Sequence, residues 1–183
     1  MRIILETERL RLRTWSLDDA EDGYRIWSDP EVMRYIKTGQ PYADIEQTRG
    51  WLRRMIAHQQ QHGFCFWAVI EKERGQLIGN CGMAYKPDGG PPVNFGYTLA
   101  RSCWGRGYAT EAAQECLSYA FEQLHLPELV AIVDSRNTAS RRVLEKIGFI
   151  YQRTEKVNED VGLWYGAKQS AQVEASAHGR KLK

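Results

Sequence analysis

The chain has 183 residues, 43% of them hydrophobic and 26% charged, a globular composition that excludes collagen-like and fibrous classes and wholesale disorder. That length holds one domain of the usual ~100–200 residues and has no room for a second catalytic one. The 25 Lys and Arg against 23 Asp and Glu leave a net charge of +2, without the electrostatic footprint of a nucleic-acid-binding domain.

The opening Met1 to Glu6 reaches charge at once and ends in no cleavage-site pattern, which predicts cytoplasmic residence. Arg9 to Arg13 alternates arginine and leucine with period two, predicting a half-buried strand over 8–14. Ser16 with Asp19, just ahead of Ala20, Tyr24 and Trp27, reads as a variant N-cap that starts a short helix. Asp29 and Pro30 cap and open a second one. Ile45, Thr48, Leu52, Met55 and Ile56 recur at three and four, predicting an amphipathic helix over 44–61 that Gly63 stops.

Beyond Gly63 the texture becomes β-rich. Phe64 to Glu71 and Gln76 to Tyr85 are joined by a hairpin signal, Lys72 to Gly75, and an exposed Pro/Gly loop at 87–92 precedes a further strand at 93–100. The longest apolar run, Phe64 to Ile70, is far short of the ~20 residues a membrane helix requires, so no membrane partner is expected. Ala112, Ala113, Cys116, Leu117, Ala120, Phe121 and Leu124 follow the helical period over 109–124, and a short buried strand follows at 129–133. Strand, helix, strand in succession predicts a crossover between parallel strands. Asn137 caps a helix over 138–147 that Gly148 ends, and strands at 149–157 and 161–165 complete the domain. Residues 166–183 are rich in Ala, Gln, Ser and Lys and read as a basic, flexible tail. The four cysteines form no C-x-x-C pair, which fits neither a zinc set nor a disulfide framework and predicts reduced, buried thiols.

The segment from Val93 to Ala112 carries the chemistry. A strand ends, Gly105 and Gly107 follow, and a helix begins at once, so unpaired backbone N–H groups and the positive end of a helix dipole converge on one point. A phosphate suits that point, and residues without Cβ let its oxygens approach the amides. The loop lacks the Lys and Ser/Thr of a Walker A motif, and Thr110 stands where a dinucleotide fingerprint has its third glycine. Taken bare, a Gly-x-Gly before a helix also fits a tight packing turn.

Three segments narrow the choice: Trp104-Gly105-Arg106-Gly107-Tyr108-Ala109-Thr110-Glu111-Ala112, the run Asn137 to Phe149, and the opening Thr7-Glu8-Arg9-Leu10 with Leu12-Arg13. Together they resemble the GCN5-related N-acetyltransferase (GNAT) superfamily, and within it the RimJ/RimL-like branch that acetylates ribosomal-protein N-termini. The resemblance runs from about residue 6 to 165 and implies a single-domain α/β fold over 1–165. In that fold a mixed, mostly antiparallel sheet is splayed at its centre and flanked by helices, with acetyl-CoA in the gap.

By the same resemblance, backbone groups of Tyr97, Thr98 and Leu99 pair with the pantetheine arm. The amides of Gly105, Arg106, Gly107, Tyr108, Ala109 and Thr110 hold the pyrophosphate, and Asn137 and Ser140 face the cofactor from the next helix. The implied reaction is direct attack of a primary amine on the thioester in a ternary complex. The acceptor is a protein N-terminus of the ribosomal type or a small amine. The amine must arrive neutral, the oxyanion needs a donor such as the N–H of Leu99 or its neighbour, and the leaving thiolate needs a proton or a hydrogen bond. Ser140 resembles the serine this branch places near the sulfur, and Glu159 and Asp160, in the turn before the last strand, are base candidates.

Three positions depart from the family pattern. Ser102 replaces the Arg or Gln that opens the pyrophosphate motif, Asn94 stands where relatives often have Glu, and Leu144 where many have a Tyr acid. These departures keep a non-catalytic acyl-CoA-binding module open as an alternative, and a nucleotide-binding domain with the same loop is a second. Tyr24, Trp27 and Tyr35 lie on the helices that wall the acceptor site in this family, and core packing explains them equally. His58 and His62 stand four apart on one helix, but no third ligand has metal spacing and no metal site is expected. Trp51, Trp67 and Trp104, with Phe64 and Phe66, have no interleaved basic residues and read as core or cleft wall. Monomer and homodimer are both compatible with the sequence.

Overall fold

The computed structural model describes residues 1–36, 39–85, 92–157 and 160–169. Eight strands, β1 (Ile3–Glu6), β2 (Leu10–Arg13), β3 (Phe66–Glu71), β4 (Gln76–Ala84), β5 (Val93–Leu99), β6 (Glu128–Asp134), β7 (Ile150–Val157) and β8 (Asp160–Lys168), form a mixed, open sheet in the order β1-β2-β3-β4-β5-β6-β8-β7. The helices flanking it are α1 (Ala20–Trp27), α2 (Pro30–Met33), α3 (Ile45–His62), α4 (Tyr108–Glu122) and α5 (Thr138–Lys146). By internal packing, Met1–Ala84 with Gly96–Cys116 forms one compact unit, and the rest of the described chain forms a second.

The first unit is built on β1 to β4, an antiparallel run in which Leu10 and Leu12 of β2 pair with Glu71 and Val69 of β3. The period-two pattern of β2 is realised: both leucines are fully buried while Arg11 stays exposed. The strand is shorter than the expected 8–14 because the chain turns at Thr7 to Arg9, where the Thr7 N–H bonds back to the Leu10 carbonyl at 2.9 Å. β1 was not expected from the sequence; its pairing with Arg11 to Arg13 makes it a strand. Deleting the Leu12 side chain to Ala should cost about 2–5 kcal/mol, the usual range for a sealed site.

Local signals set the helices of this unit. Ser16 and Asp19 form a reciprocal capping box around the single turn that leads into α1, and Arg13 closes it with a salt bridge of 2.7 Å to Asp19. The Asp29 side chain caps α2, and Asp44 caps α3 by accepting from Gln47. The left-handed Gly63 ends α3. α1 and α3 meet through an aromatic cluster in which Trp27 and Trp51 have ring centroids 4.6 Å apart and Trp15 and Trp51 5.3 Å apart.

In the second unit β6, β8 and β7 pair antiparallel, and the start of β5 pairs parallel to β6. The expected crossover is therefore present. Among the described residues the parallel register pairs Val93 with Leu129 and Asn94 with Val130. β8 continues through Gly166 and Ala167 to Lys168, past the boundary expected at 165, and the Gln169 side chain donates to the Phe121 carbonyl at 3.1 Å. The rest of the expected tail, 170–183, lies outside the described residues, as does the loop at 86–91. Among the described residues no helix is long and apolar enough to cross a membrane.

Candidate active site

The site begins at the end of β5. The Ala100 N–H donates to Ile78 of β4 at 2.8 Å, and the Thr98 carbonyl lies against Gly79 of the same strand. Because successive residues of a strand present their N–H and C=O to opposite edges, Tyr97 and Leu99 offer theirs on the edge away from β4. The Leu99 carbonyl is taken by the Trp104 indole N–H at 2.9 Å. Trp104 is half exposed, so it belongs to the site's surface and not to the core, unlike Trp67, which is fully buried.

A single turn at Arg101–Cys103 connects β5 to the glycine loop. Gly105 and Gly107 both have left-handed backbones, with φ of 73° and 80°. A side chain at Gly105 would meet open space, and one at Gly107 would lie 3.4 Å from the Arg9 guanidinium. α4 then starts at Tyr108, and the N–H of Glu111 is the first to bond back into the helix, on Gly107 at 3.1 Å. The amides of Tyr108, Ala109 and Thr110 have no acceptor within the helix, by its geometry. The result is an exposed loop whose free donors and helix dipole suit an anion, and whose glycines leave space for it.

The side chains of this loop point elsewhere. Tyr108 is buried and donates its hydroxyl to Glu71 at 2.5 Å, which raises the pKa of the phenol, with burial adding to the effect. Arg106 lies 3.4 Å from the same carboxylate and stacks over the Tyr108 ring. Arg106 and Tyr108 thus face the loop's ligand side with backbone only. Glu71, fully buried, carries the charge that holds both.

Arg9 joins the loop from the turn before β2. Its guanidinium donates to Glu111 in the first turn of α4 at 2.7 Å and to the Arg106 carbonyl at 2.9 Å, and it lies over the Tyr108 ring. Glu111 also accepts from the Thr7 hydroxyl at 2.5 Å and from the Arg9 N–H at 2.9 Å. Burial pushes the Glu111 carboxyl up, but these donors outweigh it and hold its pKa below the ordinary value. Sequence reading named neither Arg9, Glu111 nor Glu71 for the site. The available signal was that Arg9 and Glu111, of opposite charge, stand in two of the segments that carry the family resemblance.

In the second unit, the Asn137 side chain caps α5 by accepting from the Ser140 N–H at 3.1 Å. Ser140 and Asn137 are half-buried and sit on the first turn of that helix. Leu144 is sealed in the core at 1% exposure, so its position offers a leaving group nothing. Just before the helix, Arg136 folds back onto Asp134 and lowers the pKa of its carboxyl. Glu159 lies outside the described residues; Asp160 opens β8 opposite Val157.

Of the helix residues assigned to an acceptor wall, Trp27 is buried in the aromatic cluster, while Tyr24 is half-buried and donates to the Ala43 carbonyl at 3.2 Å. Tyr35 is half-buried and carries the Arg34 guanidinium over its ring. A cavity of about 330 Å³ opens beside these helices, lined by Met33, Tyr42, Gln47 and Arg54 among others. The His58 Nδ1–H donates to the Phe64 carbonyl, 2.7 Å away, and the ring's pKa is lowered chiefly by burial. Among the described residues no cluster of three His, Cys, Asp or Glu is placed to hold a metal.

The model of the acetyltransferase (GNAT) domain family matches residues 9–150. The chain is 34% identical to an uncharacterized N-acetyltransferase, p20, of Bacillus licheniformis over 79% of this chain and 81% of that one. Among solved structures, an acetyltransferase from Agrobacterium tumefaciens superposes with a TM-score of 0.77 at 32% identity, covering 90% of this chain and 94% of that one. RimL, a ribosomal L7/L12 α-N-protein acetyltransferase solved in complex with coenzyme A, shares the fold with a TM-score of 0.79 at 18% identity, covering 93% and 99%.

Proposed function

The chain belongs to the GNAT acetyltransferase family, and from that premise we propose that it acetylates a primary amine of a protein N-terminus, or of a small molecule, by direct attack in a ternary complex. It is an N-acetyltransferase, and its co-substrate is acetyl-CoA. What acetyl-CoA supplies is an acyl group activated as a thioester. Everything else falls to the chain's own groups.

The observation that carries the site assignment is the left-handed glycine pair at the mouth of α4, with open space at Gly105 and the neighbouring side chains drawn off to Glu71. The amides from Gly105 to Thr110 bind the pyrophosphate. Tyr97 and Leu99 hold the pantetheine arm, using the edge of β5 that faces away from β4, and Thr98, whose carbonyl lies against β4, sets the strand between them. The Leu99 N–H stabilises the oxyanion as the amine nitrogen bonds to the acyl carbon. When the carbon–sulfur bond breaks, the Ser140 hydroxyl donates a hydrogen bond to the departing thiolate, and Asn137 keeps the first turn of α5 in place for it. Glu159 or Asp160 takes the proton the amine loses, directly or through water. The RimJ/RimL-like motif favours a peptide N-terminus as acceptor. Buried free thiols suit a reducing compartment, which supports a cytoplasmic site of action.

The test is mass spectrometry of a library of amines and peptide N-termini after incubation with acetyl-CoA. A mass gain confined to one class, matched by thiol release above the hydrolysis background, identifies the acceptor. Acetylation only of lysine side chains, or of no member, would overturn the proposed acceptor class.

A further inference from the structure

The ion pair between Arg9 and Glu111 sits where an acidic side chain is out of place for a phosphate site. Glu111 occupies the first turn of α4, the same positive helix end that the loop amides share. Left unbalanced, its charge would oppose any phosphate bound there. Arg9 balances it with Nε and Nη2, the latter 2.5 Å from the carboxylate. The remaining arm of the guanidinium, Nη1, donates to the Arg106 carbonyl.

That third contact has a geometric effect. A trans peptide is planar, with its C=O and the following N–H pointing in opposite directions. Drawing the Arg106 carbonyl toward Arg9 therefore aims the Gly107 N–H the other way. The left-handed φ of Gly107 permits this orientation, and the absence of a Cβ leaves Arg9 its place.

We infer that Arg9 is a positioning residue for the phosphate cradle: it turns the Arg106–Gly107 peptide so that its N–H serves the ligand, and it cancels the Glu111 charge beside the bound diphosphate. The inference rests on the assignment of the glycine loop to the pyrophosphate of acetyl-CoA. Arg9 acts through the peptide and through Glu111, with no contact to the phosphate itself. Thr7, which donates to the same carboxylate, fixes Glu111 for this purpose.

Calorimetric titration of the full chain with CoA tests it, using wild type, Arg9→Met, Glu111→Gln and the double variant. Arg9→Met should bind CoA roughly tenfold more weakly, the scale of a charge-assisted hydrogen bond. Adding Glu111→Gln should then restore affinity by about threefold, because the unbalanced anion is gone, while the unheld peptide keeps the double variant below wild type. A merely structural role gives the opposite sign, since the second substitution removes a further contact. The inference fails if Arg9→Met binds within twofold of wild type, or if the double variant binds more weakly than the single one. Should Arg9→Met not fold, Arg9→Gln carries the same comparison, because a neutral amide leaves the Glu111 charge unbalanced and cannot reproduce the three-armed contact. A wild-type chain that binds pantetheine as tightly as CoA would instead overturn the assignment of the loop to pyrophosphate, which is a separate result.

Discussion

The indole of Trp104 donates to the carbonyl of Leu99, and the N–H of the next residue, Ala100, is held by Ile78. The peptide that ends β5 is thus fixed at both of its polar atoms. Trp104→Phe removes one fixing contact without altering the loop amides, a loss of about 1 kcal/mol at a half-exposed site. The expected outcome is a drop in kcat of roughly three- to tenfold with CoA affinity within about twofold of wild type. Steady-state kinetics beside calorimetry separate the two quantities. A large loss of affinity alone would show that the indole serves the loop and not the strand.

Gly105→Ala and Gly107→Ala impose similar backbone strain, of order 1 kcal/mol, at φ of 73° and 80°. They differ in what the new methyl meets: open space at Gly105 and the Arg9 guanidinium at Gly107. Both should weaken CoA binding, the first because the methyl enters the ligand's space. Only Gly107→Ala should also disturb the Arg9 contacts and lower the unfolding temperature of the ligand-free chain by more than its counterpart. Equal melting shifts would contradict the contact at Gly107.

At Gly79 the constraint is strand against strand. A Cβ there would lie 2.0 Å from the Thr98 carbonyl oxygen and 2.8 Å from the Leu99 Cα. Gly79→Ala must push β5 away from β4, at a cost of about 3 kcal/mol or more. Denaturant unfolding measures that cost, and a variant of wild-type stability would mean that the two strands are not in this contact.

Ser140→Ala separates chemistry from binding. If the hydroxyl assists the departing sulfur, kcat falls by about tenfold and CoA affinity changes little. Equal losses in both would make Ser140 a binding residue. Asn137→Ala serves as the comparison, since it removes the cap of α5 and should cost about 1 kcal/mol of stability.

The Glu111 carboxyl sets an acid dependence. Its folded pKa is held below the ordinary 4.5 by Thr7 and Arg9 against the opposing effect of burial. A depressed carboxylate contributes stability that is fully present above the unfolded value and is lost as pH falls through the folded one. Wild type should therefore lose stability more steeply than Glu111→Gln below about pH 4.5, measured by denaturant unfolding at a series of pH values. Parallel acid limbs would contradict the shift.

How far the sequence led depends on how local each signal is. Capping by Ser16 and Asp19, the Asn137 cap and the Gly63 stop are decided within a few residues, and all were readable. The strand–glycine–helix order around Gly105 and Gly107 was readable for the same reason, since its parts follow one another in the chain. β1 was not, because Ile3–Glu6 has no turn or alternation of its own and becomes a strand only against β2. Nor were Arg9 and Glu71 readable as partners of the loop: each meets it across a long sequence separation, where a charge shows its sign but not its counterpart. The side chains of Arg106 and Tyr108 illustrate the same limit. Their position in the motif was visible, while their commitment to Glu71, buried on β3, required the fold.

Each turnover of such an enzyme sets free a reactive mercaptan beside the protein. The chain's four thiols, Cys65, Cys81, Cys103 and Cys116, are all buried, and burial pushes the Cys65 thiol up to about 12. Exchange requires an accessible thiolate on one side or the other. Burial thus keeps these thiols away from a mixed disulfide with the released product.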